Sequence, residues 1–419
     1  MGPILLCDKS TLQSLSRAEL NMLRRNYSLN IPPVLLMEIL ADLRKAEDIG
    51  TGQAEVQQLA NKLVPACSYV NVGFRDVVIG ELHGYKAPAD GRPVLRGGKS
   101  VKSGVKAGMI FEHSPEDEAM LRWQRGSFLD AERILAAEWR RVSKSIDLEG
   151  TQRLLRNHYS SHTRLHTFTE IVTFTDQLLR SIPPRELISW FLRDCEILAE
   201  KFEEPLRKIG MSERFTLEAE MPYTKRCIRL ALIFHFALAF GLISTRSTNR
   251  IDLEYLYYIP FCMVFSSGDA LHRDLAQFIS TEQIFIPRDI FKSDMKGLAL
   301  WWTSLSPEQQ EAERQLSGPP EFEASPTYHA WKKFMKPGYR SRARTGSDKM
   351  SPEVGQKVMD HIRNIMRGVV PDGSSNLTID ECDFVVRKQN VRLDGPCICG
   401  SDRKFRDCCG RQIVAELGR

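Results

Sequence analysis

No apolar run in this 419-residue chain is long enough to cross a bilayer. The longest, Leu230–Ile243, falls short of the roughly 20 residues a spanning helix needs and carries His235 in its middle. It is expected to form a buried helix. No leader with a basic start and an apolar stretch is evident, so no membrane association and, by default, a cytoplasmic location are expected. Excess charge of one sign is also scarce: 58 Lys and Arg against 53 Asp and Glu leave a net charge of +5, which permits nucleic-acid partners without demanding them. A complete phosphate-binding loop is missing. Gly97-Gly98-Lys99-Ser100 has the ending of one, but Pro93 stands where the first glycine is needed, which excludes a nucleoside triphosphatase of that class.

What is present begins with enough apolar material, 42% of the residues, to build cores for about two or three globular units. The basic residues are concentrated rather than spread. Residues 92–106 hold Arg92, Arg96, Lys99, Lys102 and Lys106 without an acidic residue, among glycines and serines, and read as a mobile basic loop. A second run holds Lys332, Lys333, Lys336, Arg340, Arg342, Arg344 and Lys349, with Trp331, Phe334 and Tyr339 interleaved and Asp348 opposing. Cation and aromatic together suit phosphate and base contact, and a solvated linker face is the equally weighted alternative. His158, His162 and His166 repeat at four-residue steps and read as one polar helical face, because no neighbouring acid completes a metal site.

Four of the ten cysteines fall between positions 397 and 409. Cys397 and Cys399, then a polar loop, then Cys408 and Cys409 have the spacing to close a tetrahedral sulfur shell around one Zn²⁺ ion. Ordinary reduced cysteines, a disulfide knot and an iron–sulfur cluster are the alternatives, the last with a spacing unlike the common ferredoxin patterns. Cys7, Cys195, Cys227 and Cys262 sit among apolar residues and read as small hydrophobes. The stretch Cys397-Ile-Cys399-Gly-Ser-Asp-Arg-Lys-Phe-Arg-Asp-Cys408-Cys409-Gly resembles the SEC-C zinc motif, also found at the C-terminus of the preprotein translocase ATPase. The resemblance covers roughly residues 394–412, with Asp402 replacing the usual second glycine. It implies a docking module for a ribosome or protein partner, and a four-sulfur shell leaves no open position for chemistry.

Near the start, Pro3–Cys7 reads as a strand that delivers Asp8 to a helix, with Ser10 placed to cap it. Val34–Leu43 has helical spacing behind Pro32 and Pro33, and carries Glu38. Far downstream, Ile251-Asp252-Leu-Glu254-Tyr begins another helix, Met263–Ser267 reads as a strand, Asp269 follows in its turn, Ala270–Ile279 is helical and Gln283–Pro287 is a further strand. The alternation predicts a parallel α/β sheet. Strand ends on one sheet edge face one crevice, and acids crowded there require cations; hard oxygen ligands select Mg²⁺ or Mn²⁺.

Cys7-Asp8-Lys9-Ser10, Val34–Glu38, Ile251–Tyr255 and Val264-Phe-Ser-Ser-Gly-Asp269 together resemble the PIN-like nucleases. That resemblance covers roughly residues 3–45 and 226–300. It implies an α/β PIN-like domain, a parallel sheet flanked by helices, in which Asp8, Glu38, Asp252 and Asp269 bind Mg²⁺ or Mn²⁺ and hydrolyse RNA. Glu254 is an alternative to Asp252. Lys9 and Arg273 are near enough in sequence to help hold phosphate, with Lys332, Lys333, Arg340, Arg342 and Arg344 steadying the strand electrostatically.

The expected organisation is therefore a discontinuous PIN-like domain (1–45 and 226–300), a large helical insertion (46–225) containing the basic loop, a helical and basic linker region (301–390), and a small C-terminal zinc module (391–419). The expected activity is a metal-dependent ribonuclease. Its rivals are a binding protein with a degenerate cleft and a toxin or defence effector nuclease.

Overall fold

Ile4-Leu-Leu-Cys7 is apolar at every position, the pattern of a strand covered on both faces, and all four residues are buried. In the computed structural model, which describes residues 2–44, 51–63, 68–96, 98–103, 106–111, 114–159, 165–212, 214–279, 282–316, 318–335 and 404, this segment is the central strand of a parallel sheet. The strands are β1 (Ile4–Cys7), β2 (Ser28–Ile31), β3 (Ser68–Val70), β4 (Gly98–Ser103), β5 (Lys106–Phe111), β6 (Val264–Ser267) and β7 (Ile284–Pro287). Five of them form the main sheet in the order β3-β2-β1-β6-β7, each pair parallel. Leu5 lies opposite both Leu29 of β2 and Val264 of β6, which sets the register of the sheet centre.

The chain moves outward from β1 through β2 to β3, and the later strands continue on the other side through β6 to β7. The direction reverses between β1 and β6, so a crevice opens there at the carboxyl ends of those two strands. Strand β3 comes from inside residues 46–225, the span expected to be a helical insertion. At three residues it is too short for a periodic signal to reveal it.

Helices cover the sheet. The helix Arg17–Asn26 starts with a capping box in which Ser16 and Glu19 each take the other's backbone N–H. The helix Pro33–Leu40 has proline at its first position, where the missing N–H costs nothing. The apolar run expected to be a buried helix is the C-terminal part of the helix Pro222–Ala239, which buries thirteen of its eighteen side chains. Its amino end is held by Glu81, whose carboxylate accepts the N–H groups of Tyr223 and Thr224 (3.1 and 2.7 Å) and the Thr224 hydroxyl (2.8 Å). Its carboxyl end closes with the N–H of Leu242 on the Ala237 carbonyl (2.8 Å) and that of Gly241 on Leu238 (3.1 Å). Gly241 has φ +76°, the left-handed turn this ending requires. Gln152 and Arg156 bond the Leu238 and Ala239 carbonyls (2.7 and 2.8 Å), satisfying groups that a helix end leaves orphaned.

The three histidines do not share a helix: one helix, Leu148–Tyr159, contains His158, His166 precedes the Thr167 cap of the next helix, Phe168–Ser181, and His162 is outside the described residues. Among the described residues no helix is long and apolar enough to cross a membrane.

The chain divides into two units. The first comprises residues 1–96, 113–304 and 319–331 and contains the five-stranded sheet. The second comprises 97–112, 305–318 and 332–419. Its described parts include the antiparallel hairpin β4–β5, which takes up much of the span expected to be a loose basic loop, and the helix Pro307–Gln315, which opens with a Ser306–Gln309 capping box.

Candidate active site

Asp8 is the first residue after β1 and caps the helix Lys9–Ser14 itself; Ser10, expected as the cap, lies inside that helix. The Asp8 carboxylate accepts the Thr11 N–H (2.8 Å) on one oxygen and the Ser10 and Ser267 hydroxyls (2.9 and 2.7 Å) on the other. With 6% of its surface exposed, it is an acid held by neutral donors from both strand ends of the crevice.

Glu38 projects from the helix Pro33–Leu40 and accepts a hydrogen bond from the Tyr255 hydroxyl. Burial raises its carboxyl above the ordinary range, while the Tyr255 bond and the Lys9 charge pull it down, and Asp8 and Asp42 add to the rise. Lys9, expected at phosphate, turns inward: its ammonium lies 2.6 Å from Asp42 and 3.0 Å from the Glu38 carbonyl.

Asp252 sits in the first turn of the helix Asn249–Leu256, and Asp269 lies two residues beyond β6. Asp269 accepts the Leu271 N–H (2.8 Å), which starts the helix Ala270–Ile279. Between the two acids lies Arg246, whose Nη2 donates to an oxygen of Asp252 at 3.1 Å and of Asp269 at 2.6 Å. Burial, then the negative charges of Asp269 and Glu38, push the Asp252 carboxyl up to about 8 against the opposing pull of Arg246. Three acids therefore feel one another here, and one guanidinium does not neutralise them. Glu254, the alternative to Asp252, faces away, toward Arg75 at 3.9 Å.

His272, fully buried, ties the acidic turn to the helix. Its Nε2 is 2.6 Å from the Asp252 carbonyl and its Nδ1 is 2.7 Å from Ser267 Oγ. A carbonyl cannot donate, so Nε2 carries the proton. Burial lowers the affinity of the imidazole for a second proton. Ser267 Oγ also accepts the Asp269 N–H at 2.9 Å, so one hydroxyl touches Asp8, His272 and the Asp269 backbone, and its single proton goes to either Asp8 or the unprotonated Nδ1. The guanidinium of Arg288 lies against this turn, where a Cβ on Gly268 would stand 2.8 Å from it.

The four acids expected from the sequence thus lie about the carboxyl ends of β1 and β6, linked through Ser267, Tyr255 and Arg246. Arg246, Tyr255, His272 and Arg288 were not anticipated. Arg273 pairs with Asp274 at 3.6 Å and lines a cavity of about 370 Å³ with Phe265 and Phe285. Lys332 and Lys333 end the helix Pro326–Phe334, with Lys333 over the Phe334 ring at 5.2 Å. Arg340, Arg342, Arg344 and the four cysteines Cys397, Cys399, Cys408 and Cys409 lie outside the described residues.

Among the described residues no three His, Cys, Asp or Glu side chains are gathered as a ready metal cage. Two carboxylates converging on one cation position is nevertheless a donor set that suits Mg²⁺ or Mn²⁺, which commonly take one or two carboxylates and complete their shells with water and substrate phosphate.

Residues 396–411 match the SEC-C motif, a span that includes all four clustered cysteines. No curated protein and no solved structure matches the chain.

Proposed function

We propose that this chain is a metal-dependent ribonuclease whose active site is the acidic crevice between β1 and β6, in a domain of PIN-like type. The observation that carries the reading is the convergence of Asp252 and Asp269 on a single cation position at the point where the sheet reverses direction. RNA, rather than DNA, rests on the resemblance of the four acidic motifs to PIN-like nucleases.

Asp252 and Asp269 would hold a divalent ion, with Glu38 supplying further negative charge and Asp8 fixing the geometry of the β1–β6 edge. Bound there, the ion would lower the pKa of a water molecule and stabilise charge on the phosphodiester oxygens. The chain's own residues orient the site: Tyr255 aims Glu38, Ser267 and Thr11 hold Asp8, and His272 fixes the distance between the Asp252 helix and the Asp269 turn. Arg288, which lies against Gly268 and pairs with Asp289 at 3.1 Å, is a further cation beside the Asp269 turn that would be available to a phosphate.

The SEC-C segment would bind one structural Zn²⁺ through Cys397, Cys399, Cys408 and Cys409 and dock the enzyme on a ribosome or protein partner. The closed sulfur shell separates that role from catalysis. Incubation of the purified chain with mixed RNA and Mn²⁺ tests the proposal: cleavage lost on chelation and in Asp252→Asn supports it. Absence of cleavage under all divalent ions would favour a binding protein, a reading to which the ion pairing of Arg246 with two of the four acids lends support.

A further inference from the structure

Arg246 belongs to no helix or strand. It lies in the Ser244–Thr248 connection, between the Gly241 turn that ends one helix and the helix bearing Asp252. The connection is pinned at its base, where Asn249 donates to the Ser244 carbonyl and hydroxyl (2.7 and 3.1 Å). The Arg246 side chain is 56% exposed, whereas those of Asp252 and Asp269 are 15% and 16% exposed. A solvent-facing cation on a long side chain therefore covers two mostly buried acids. It uses one nitrogen to reach both, which leaves its two-pronged hydrogen-bonding capacity largely unspent on them.

A divalent ion entering between Asp252 and Asp269 needs the same two oxygens that hold the guanidinium. The ion and Arg246 are competitors for them. A phosphodiester, by contrast, offers Arg246 a bidentate partner that a flexible, exposed side chain is free to reach. Anything that draws the guanidinium away from the acids favours the ion, and linkage makes the effect mutual.

We propose that Arg246 is a built-in counter-cation that closes the Asp252–Asp269 site until a nucleic-acid phosphate captures it, so that divalent-ion loading is gated by substrate. The proposal rests on the metal-dependent reading given above and concerns the order in which that site fills. Arg246 holds the acids together in the free protein and passes to the phosphate as the ion takes its place.

The test measures ion binding, not turnover. Mn²⁺ is titrated into the full chain while the signal of free Mn²⁺ is followed by electron paramagnetic resonance, with and without a short phosphorothioate oligoribonucleotide. Wild type is compared with Arg246→Gln and Arg246→Lys, and circular dichroism establishes that each is folded. Wild type should bind Mn²⁺ about ten-fold more tightly with the oligonucleotide than without it. Arg246→Gln should bind tightly without it and gain little from it. Arg246→Lys, a cation that lacks the planar fork, should fall between and decides the matter should the Gln variant not fold. Equal Mn²⁺ affinity in wild type and variants, or weaker affinity in the variants, overturns the gate and leaves the metal-dependent reading intact. Failure of all three proteins to bind Mn²⁺ with the oligonucleotide present overturns the metal site and the gate together.

Discussion

The two ends of the crevice hold their acids by different means. After β1, Asp8 is buried under one backbone N–H and two hydroxyls, all neutral donors from the chain. After β6, Asp269 and its neighbour Asp252 are joined by an exposed guanidinium, and the Asp252 carboxyl is still pushed up to about 8. Donors of the first kind are part of the fold and cannot leave without breaking it. A cation of the second kind can be exchanged for another. On the reading proposed above, Asp8 serves mainly architecture and the Asp252–Asp269 pair the binding of the ion.

The largest effect should come from removing one charge at the exchangeable end. Asp252→Asn and Asp269→Asn should each lower Mn²⁺-dependent RNA cleavage by on the order of 10²-fold while leaving far-ultraviolet circular dichroism unchanged. Retention of full activity in both would place the chemistry elsewhere.

The pH dependence of stability should separate the ends next. A carboxyl whose pKa is raised in the folded protein favours folding below its unfolded value, near 4, and loses that contribution as pH rises through about 8. Without metal, wild type should therefore lose stability between pH 5 and pH 8, by on the order of a few kcal/mol at most. Asp252→Asn should flatten the decline in urea titrations run across that range, and an unchanged slope would remove Asp252 as its source.

Asp8→Ala should then cost about 2 kcal/mol in urea denaturation, because it uncaps a helix and strands the hydroxyls of Ser10 and Ser267. Asp8→Asn, which keeps the shape and one acceptor oxygen, should cost less. If both variants unfold at the wild-type urea concentration, Asp8 is not the structural anchor the comparison makes it.

Gly241→Ala comes next, at about 1–2 kcal/mol, from forcing a side chain into the left-handed turn that ends the helix before Arg246. Its effect on Mn²⁺ affinity should exceed that of an equally destabilising change elsewhere, since the turn launches the Arg246 connection. The smallest effect on the crevice belongs to Cys408→Ser. This variant should release one zinc per chain by elemental analysis yet cleave a short unstructured RNA as wild type does.

Much of this site was legible in the sequence because each acid follows a local pattern. Asp8 and Asp269 follow short strands, and Glu38 and Asp252 sit in segments of helical spacing, so a window of ten residues suffices to nominate them. What links them was not legible. Tyr255 meets Glu38 across 217 positions, and Ser267 meets Asp8 across 259. Arg246 is only six residues from Asp252, but nothing in Ser-Thr-Arg-Ser-Thr distinguishes a cation folded back onto acids from one in solvent. Lys9 misled for the same reason: its position beside Asp8 says nothing of Asp42, to which its side chain turns. Strand β3 escaped because three half-buried residues carry no period, and its place is dictated by the exposed edge of β2 that it covers.

The position of His272 has a consequence for the rest of the chain. Because its two ring nitrogens bridge Ser267 and the backbone of Asp252, the imidazole acts as a spacer of fixed length between the sheet edge and the neighbouring helix. The gap between the paired acids is thereby set by one aromatic ring rather than by the many helices threaded between β3 and β6. The helices there that carry neither Asp252 nor the Gly241 turn can be remodelled without changing the ring that spans this gap.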